Sequence, residues 1–146
     1  MKLRLLLLAM LAAAPLAGAA EFRSVAESGA VLYDAPSLKS KKLFVVSRYY
    51  PVEIVVNIEN WVKVRDQAGD LAWIEKKALS DRRTVVVTAS VADVRQAASE
   101  QSPLVFQAQQ GVALEVADPA SSGWVKVRNA DDGLSGYIRI TEVWGL

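Results

Sequence analysis

Two identical pentapeptides, Trp61-Val62-Lys63-Val64-Arg65 and Trp124-Val125-Lys126-Val127-Arg128, stand 63 residues apart in a chain of 146. An internal period of that length marks one folding unit used twice, so the chain has to be read as two equivalent halves. Two more blocks keep the same order. Tyr33-Asp34-Ala35-Pro36-Ser37 aligns with Arg95-Gln96-Ala97-Ala98-Ser99, and Trp73-Ile74-Glu75 aligns with Tyr137-Ile138-Arg139. The offset drifts by one residue between blocks, as it does when loops change length and strands do not.

Both copies read as strands. Val52 to Ile58 is β-branched and largely apolar, Trp61 to Arg65 alternates, and Thr84 to Thr88 is a further β-rich run, while helical periodicity is nearly absent. Turn chemistry separates the strands at Asp34-Ala35-Pro36, Ile58-Glu59-Asn60, Gln67 to Asp70, Asp118 to Gly123 and Asp131-Asp132-Gly133. Short strands at this spacing predict an all-β protein of two small barrels in tandem, residues 21–83 and 84–146. Only Asp81-Arg82-Arg83 separates them, so the two units are expected to touch. On a strand, alternate side chains share a face. Val62, Val64, Val125 and Val127 are therefore expected inside, and Trp61, Lys63 and Arg65 outside.

The first twenty residues have a different character. Lys2 and Arg4 precede an apolar run from Leu5 to Ala14, and Pro15 breaks it ahead of Ala17-Gly18-Ala19-Ala20. That pattern predicts a cleaved secretory signal at residues 1–20 and a periplasmic or secreted mature protein. Pro15 and Gly18 cut the run short of a bilayer span, so no stable membrane insertion is expected after cleavage. The chain has no Cys, which excludes a lipoprotein anchor. Residues 21–146 hold 15 basic and 16 acidic side chains, a balance unlike that of a nucleic-acid binder. The total conceals an asymmetry: residues 21–85 carry 11 basic and 9 acidic groups, residues 86–146 carry 4 and 7.

With neither Cys nor His, the chain lacks the parts of a Cys-His peptidase, a Ser-His-Asp triad or a His-based acid–base mechanism. Asp131 and Asp132 are adjacent in a turn, whereas glycosidase chemistry needs two carboxyls facing across a cleft. The run from Asn129 to Gly133 also lacks the spaced oxygen ligands of a calcium loop. No catalysis, metal or cofactor is expected.

Aromatic residues beside cations are the better candidates. A hairpin through Gly69 would bring Trp73 near Lys63 or Arg65, and an aromatic surface next to a positive charge suits a sugar ring or a peptide carboxylate. Tyr33, Tyr49 and Tyr50 align with Arg95, Gln109 and Gln110, so the aromatics concentrate in the first copy. The candidate ligand surface is Tyr33, Tyr49, Tyr50, Trp61, Lys63, Arg65 and Trp73. The same tryptophans also fit a structural role, capping a core so small that it needs every large side chain, with Lys63 and Arg65 laid over them.

The order of features in the second copy resembles the bacterial SH3-like (SH3b) domain. It runs Ala92-Asp93-Val94-Arg95, then Gly111 before Val112 to Val116, then Gly123-Trp124-Val125-Lys126-Val127, then Gly136-Tyr137-Ile138. The first copy matches it with Val31 to Ser37, Pro51 to Val55, Asn60 to Arg65, Trp73-Ile74 and Ala78-Leu79, placing Pro51 opposite Gly111. The whole resembles exported tandem proteins of this family with no assigned function. What the resemblance implies is a small β-barrel that binds. Exported members accompany wall hydrolases, bind wall peptides or serve as protein contacts. The expected partner is therefore cell-wall peptide or glycan, engaged through the first copy, or alternatively an envelope protein for which this chain is an adaptor. Lys39, Lys41 and Lys42 form either a solvated charge run or an attraction for anionic wall polymer or lipid headgroups. Ala72, Pro51 and Ala98 depart from the family pattern, which usually has Gly, Gly and Pro there.

Overall fold

The computed structural model describes residues 18–146, so the expected signal at residues 1–20 lies outside the described residues except for its last three. The first half contains β1 (Phe22–Val25), β2 (Ala30–Tyr33), β3 (Lys42–Val46), β4 (Pro51–Asn57), β5 (Trp61–Arg65), β6 (Leu71–Glu75), a 3-10 turn (Lys76–Ala78) and β7 (Leu79–Ser80). The second half repeats this with β8 (Thr84–Val87), β9 (Val91–Arg95), β10 (Leu104–Gln109), β11 (Ala113–Ser121), β12 (Trp124–Arg128), β13 (Ser135–Arg139), a 3-10 turn (Ile140–Glu142) and β14 (Val143–Trp144). Each half is one seven-stranded antiparallel sheet, ordered β3-β2-β6-β5-β4-β1-β7 and β10-β9-β13-β12-β11-β8-β14, the same strand for strand.

Each sheet closes around its own core. Val25, Leu32, Val52, Val62, Val64 and Ile74 fill the first, while Val85, Val87, Val94, Leu114, Val125, Val127 and Ile138 fill the second. The inward valines of the repeated pentapeptides are fully buried. The register slips by one residue between Ile54 and Val56, and again between Val116 and Asp118. Such bulges add local twist and bend the long strand, letting one small sheet wrap its own interior.

The two copies share an interface built on β1 and β8. All four residues of β8 are buried, because Val85 and Val87 enter the core while Thr84 and Val86 lie on the opposite face. Thr84 Oγ1 donates to the Tyr49 carbonyl at 2.6 Å, and Ser24 Oγ donates to the Arg82 carbonyl at 2.7 Å. Phe22 and Trp144 meet edge to face at 5.1 Å, with the Arg83 guanidinium 5.6 Å from the Phe22 ring. Gly145 lets the chains approach: a Cβ there would stand 2.8 Å from the Thr84 carbonyl oxygen and 3.1 Å from Pro51 Cβ. A strand buried on both faces needs no polar alternation, which is why Val85 to Val87 reads as a continuous apolar run.

Five details of the sequence reading are corrected. Pro51 corresponds to Ala113, since each pairs with the equivalent residue of β1 or β8, Ser24 or Val86. The residue equivalent to Gly111 is Tyr49: each donates its N–H to the same carbonyl of β1 or β8, Val25 or Val87, and each has positive φ, 70° and 87°. Tyr50 accordingly matches Val112, not Gln110. Asp118 to Ser121 continues β11, so the turn before Trp124 is only Ser122-Gly123, and Lys42 opens β3 instead of lying in the loop.

Candidate functional site

The outer face of the first copy gathers four of the seven candidate residues. Tyr33 on β2 is opposite Trp73 on β6, and Trp73 is opposite Lys63 on β5. The Lys63 ammonium stands 6.0 Å from the centre of the Trp73 ring, and Tyr33 meets Trp61 edge to face at 5.4 Å. The alternation of β5 produces this arrangement directly, because burying Val62 and Val64 turns Trp61, Lys63 and Arg65 outward. Arg65 is committed elsewhere, donating to Glu53 at 2.9 Å across β4 and β5.

Trp61 forms the floor of an open groove of about 820 Å³. One wall is the loop from Pro36 to Lys39, and the other comprises Glu59, Asn60 and Glu75 to Lys77. Leu38 stands 61% exposed on the first wall. The groove combines an indole floor, an aliphatic edge, lysines 39, 76 and 77 and two carboxylates, Glu59 and Glu75. Such a lining can stack a sugar ring or aliphatic chain while pairing charges of either sign.

The corresponding place in the second copy is narrowed by a side-chain pair laid over its tryptophan. Its loop from Arg95 to Phe106 has the same length as that from Tyr33 to Phe44 and repeats its backbone bonds, Ser99 N–H to Ala97 O and Ser102 N–H to Ser99 O matching Ser37 to Ala35 and Ser40 to Ser37. Glu100 therefore occupies the position of Leu38. Arg139 occupies that of Glu75, each being opposite its tryptophan. The Arg139 guanidinium lies 4.7 Å from the Trp124 ring and forms a salt bridge with Glu100. Trp124 is only 9% exposed, and the space left, lined also by Asp93 and Arg95, is about 320 Å³.

Tyr49 and Tyr50 do not join the Trp61 groove. They line a second depression of about 750 Å³ at the junction of the two copies, with Val45 to Arg48 on one side and Gly111 to Ala113 and Asn129 to Asp131 on the other. The Tyr49 ring lies between two guanidinium groups, Arg48 at 4.7 Å and Arg82 at 5.7 Å. Tyr50 also packs against the first core, and this burial raises its phenol pKa above the ordinary value, with the Asp66 charge adding to the effect against a hydrogen bond from the Gln67 N–H.

Glu115 bridges linker and second copy, accepting from Arg82 and from Arg128, the latter at 2.8 Å. Burial alone would raise its pKa, but the hydrogen bonds and charges of Arg128 and Arg82 outweigh it, and the carboxyl lies below its usual value. Asp131 and Asp132 are turn residues: Asp132 Oδ1 accepts the Leu134 N–H at 2.9 Å, and the Asp131 N–H donates to Asn129.

The sequence reading missed the groove walls, namely Leu38, Glu75, Lys76 and Lys77, and the plug of Glu100 and Arg139. A signal was present, since Trp73-Ile74-Glu75 and Tyr137-Ile138-Arg139 align with the charge reversed.

Family comparison agrees with this geometry copy by copy. A model described as "Bacterial SH3 domain" matches residues 26–81, and a second model of that description matches residues 90–140. The chain belongs to the bacterial SH3 domain family and carries two such domains in tandem. No curated protein matches it. Among solved structures it is similar to NlpC2 from Trichomonas vaginalis, with 17% identity, a TM-score of 0.38 and coverage of 86% of this chain and 48% of that one. It is similar also to NlpC1 from the same organism, with 18% identity, a TM-score of 0.39 and coverage of 94% and 50%. The chain thus spans about half the length of those proteins.

Proposed function

We propose that this protein is a non-catalytic binding module of the cell envelope, exported by its N-terminal signal, which holds cell-wall peptide or glycan in the groove over Trp61. The observation that carries this reading is the contrast between the copies: the groove is open over Trp61 and plugged over Trp124. Bacterial SH3 domains commonly bind cell-wall components, and the groove offers the stacking surface and charges such a ligand needs. Of the candidate residues only Trp61 lines this groove; the buried Tyr33 ring braces Trp61 edge to face, and Lys63 and Trp73 pair with each other farther along the same outer face.

Co-sedimentation of the mature protein with isolated murein tests the proposal. The protein should pellet with murein, and soluble stem peptides or glycan strands should release it, whichever of the two the groove holds. A protein that stays in the supernatant at every murein concentration contradicts the reading.

A further inference from the structure

The two edge strands, β3 and β10, occupy the same place in the two sheets, and among the described residues neither has a strand on its outer side. They are finished differently. On β10, Phe106 packs against the core and Gln107 donates to Asp93 at 2.8 Å, with Arg95 on the same carboxylate at 2.9 Å. The corresponding residues of β3 are Phe44 and Val45, opposite Leu32 and Val31 as Phe106 and Gln107 are opposite Val94 and Asp93. Phe44 is 52% exposed and Val45 is 71% exposed. The first copy thus carries an unpaired edge with apolar side chains on both faces, where the second has a covered phenylalanine and a closed polar network.

That edge leads into the depression between the copies, since Val45 to Ser47 form its near wall and Tyr49 and Val112 lie within it. The charge along the edge itself is one-sided, the carboxylate of Asp131 standing apart on the far wall of the depression. Lys41 and Lys42 flank the start of β3 and Arg48 follows its end, all exposed, whereas Leu104 to Gln109 of β10 carry no charge. Tyr49 has φ 70° where its equivalent is a glycine, and its ring is within cation–π distance of Arg48 and Arg82 at the end of this track. Antiparallel pairing of β3 with β3 of a second copy would set Lys41 and Lys42 against Arg48, and like charges across strands oppose it.

We propose that the outer edge of β3, continued by the groove between the copies, docks an extended acidic peptide strand of a partner protein. The strand would extend the sheet through backbone hydrogen bonds, set aliphatic side chains on Phe44 and Val45, and direct its carboxylates to Lys41, Lys42 and Arg48. The site is distinct from the Trp61 groove and stands independently of wall binding.

A short synthetic peptide alternating glutamate and valine serves as the probe, titrated into the mature protein and followed by amide NMR. Shifts should concentrate in β3, at Arg48 and Tyr49, and around Gly111 to Ala113. Phe44→Ser with Val45→Ser should weaken binding about tenfold or more, and Lys41→Glu with Lys42→Glu comparably, since edge docking needs both the apolar contacts and the charge. Both pairs are exposed, so melting should change little, and murein co-sedimentation of the Phe44 and Val45 double variant should be unchanged. The proposal is overturned if a lysine–valine peptide binds equally well, if the shifts centre on Trp61, if neither double variant weakens binding, or if β3 shifts with protein concentration alone, which would make a second copy the occupant.

Discussion

The two tryptophans that open the repeated pentapeptides occupy the same place in the same strand, yet only Trp124 is covered. Arg139 lies over its ring and is held there by Glu100, while Glu75 and Leu38 leave Trp61 at the floor of a groove. Inside the barrels the copies hardly differ: Val62 and Val125, Val64 and Val127, Ile74 and Ile138 fill equivalent sites. Outside, charge, aromatic content and edge finish have all diverged. Close-packed interiors constrain what may replace a buried residue, and surfaces do not. One copy has kept an open surface, and the other has closed its own.

The largest effect should come from charging either interior. Val64→Asp and Val127→Asp each bury an unpaired carboxylate and should cost about 4 kcal/mol or more, comparable with the whole stability of a small domain. Thermal melting followed by tryptophan fluorescence measures it. A variant that melts with the parent would show that the inward assignment of that copy is wrong.

Next in size is the ion cluster, where the copies are unequal. Glu115 receives two guanidinium groups and its side chain is only 10% exposed, while the equivalent Glu53 receives, among the described residues, Arg65 alone and is 22% exposed. Glu115→Ala should cost about 2 kcal/mol, and Glu53→Ala less than about 1 kcal/mol, by urea denaturation. Glu115 also makes stability depend on pH. Its folded pKa is depressed, so its contribution is complete above the usual carboxylate range and is lost as pH falls towards the folded value. Glu115→Gln should flatten that acid limb, whereas an unchanged limb would assign it to other carboxylates.

Smaller still is the turn before the central strand. Gly111 has φ 87° and open space where a Cβ would stand, so Gly111→Ala should lose about 1 kcal/mol through backbone strain alone. Tyr49→Gly relieves the same strain but forfeits the ring contacts with Arg48 and Arg82, and should be close to neutral in melting temperature. The smallest stability change belongs to the outer lysines: Lys63→Ala and Lys126→Ala should each shift stability by less than about 0.5 kcal/mol. Only Lys63→Ala should weaken murein retention. Equal weakening by both would mean general charge attraction and erase the difference between the copies.

Much of the fold was legible because the repeat and the alternation of Trp61 to Arg65 are local patterns fixed by strand geometry. Three points were not. The correspondence of Tyr49 with Gly111 rests on hydrogen bonds to β1 and β8 and on a positive φ that sequence normally assigns to glycine. Asp118 and Pro119 read as a turn, but cross-strand pairing carries β11 through them to Ser121. Tyr49 and Tyr50 were grouped with Trp61 by residue type, whereas the chain path sends them to the junction between the copies. The plug was visible only as the reversal from Glu75 to Arg139. Its meaning required knowing that Glu100 comes back over the same ring.

The most direct test of the open groove is to close it with the second copy's own device. Leu38→Glu combined with Glu75→Arg places the Glu100 and Arg139 pair over Trp61, on a loop of the same length and a strand of the same register. Melting should stay close to the parent, Trp61 should become less accessible to acrylamide quenching, and co-sedimentation with murein should be lost. If the plugged protein is folded, shields Trp61 and still pellets with murein as the parent does, the groove is not the binding site.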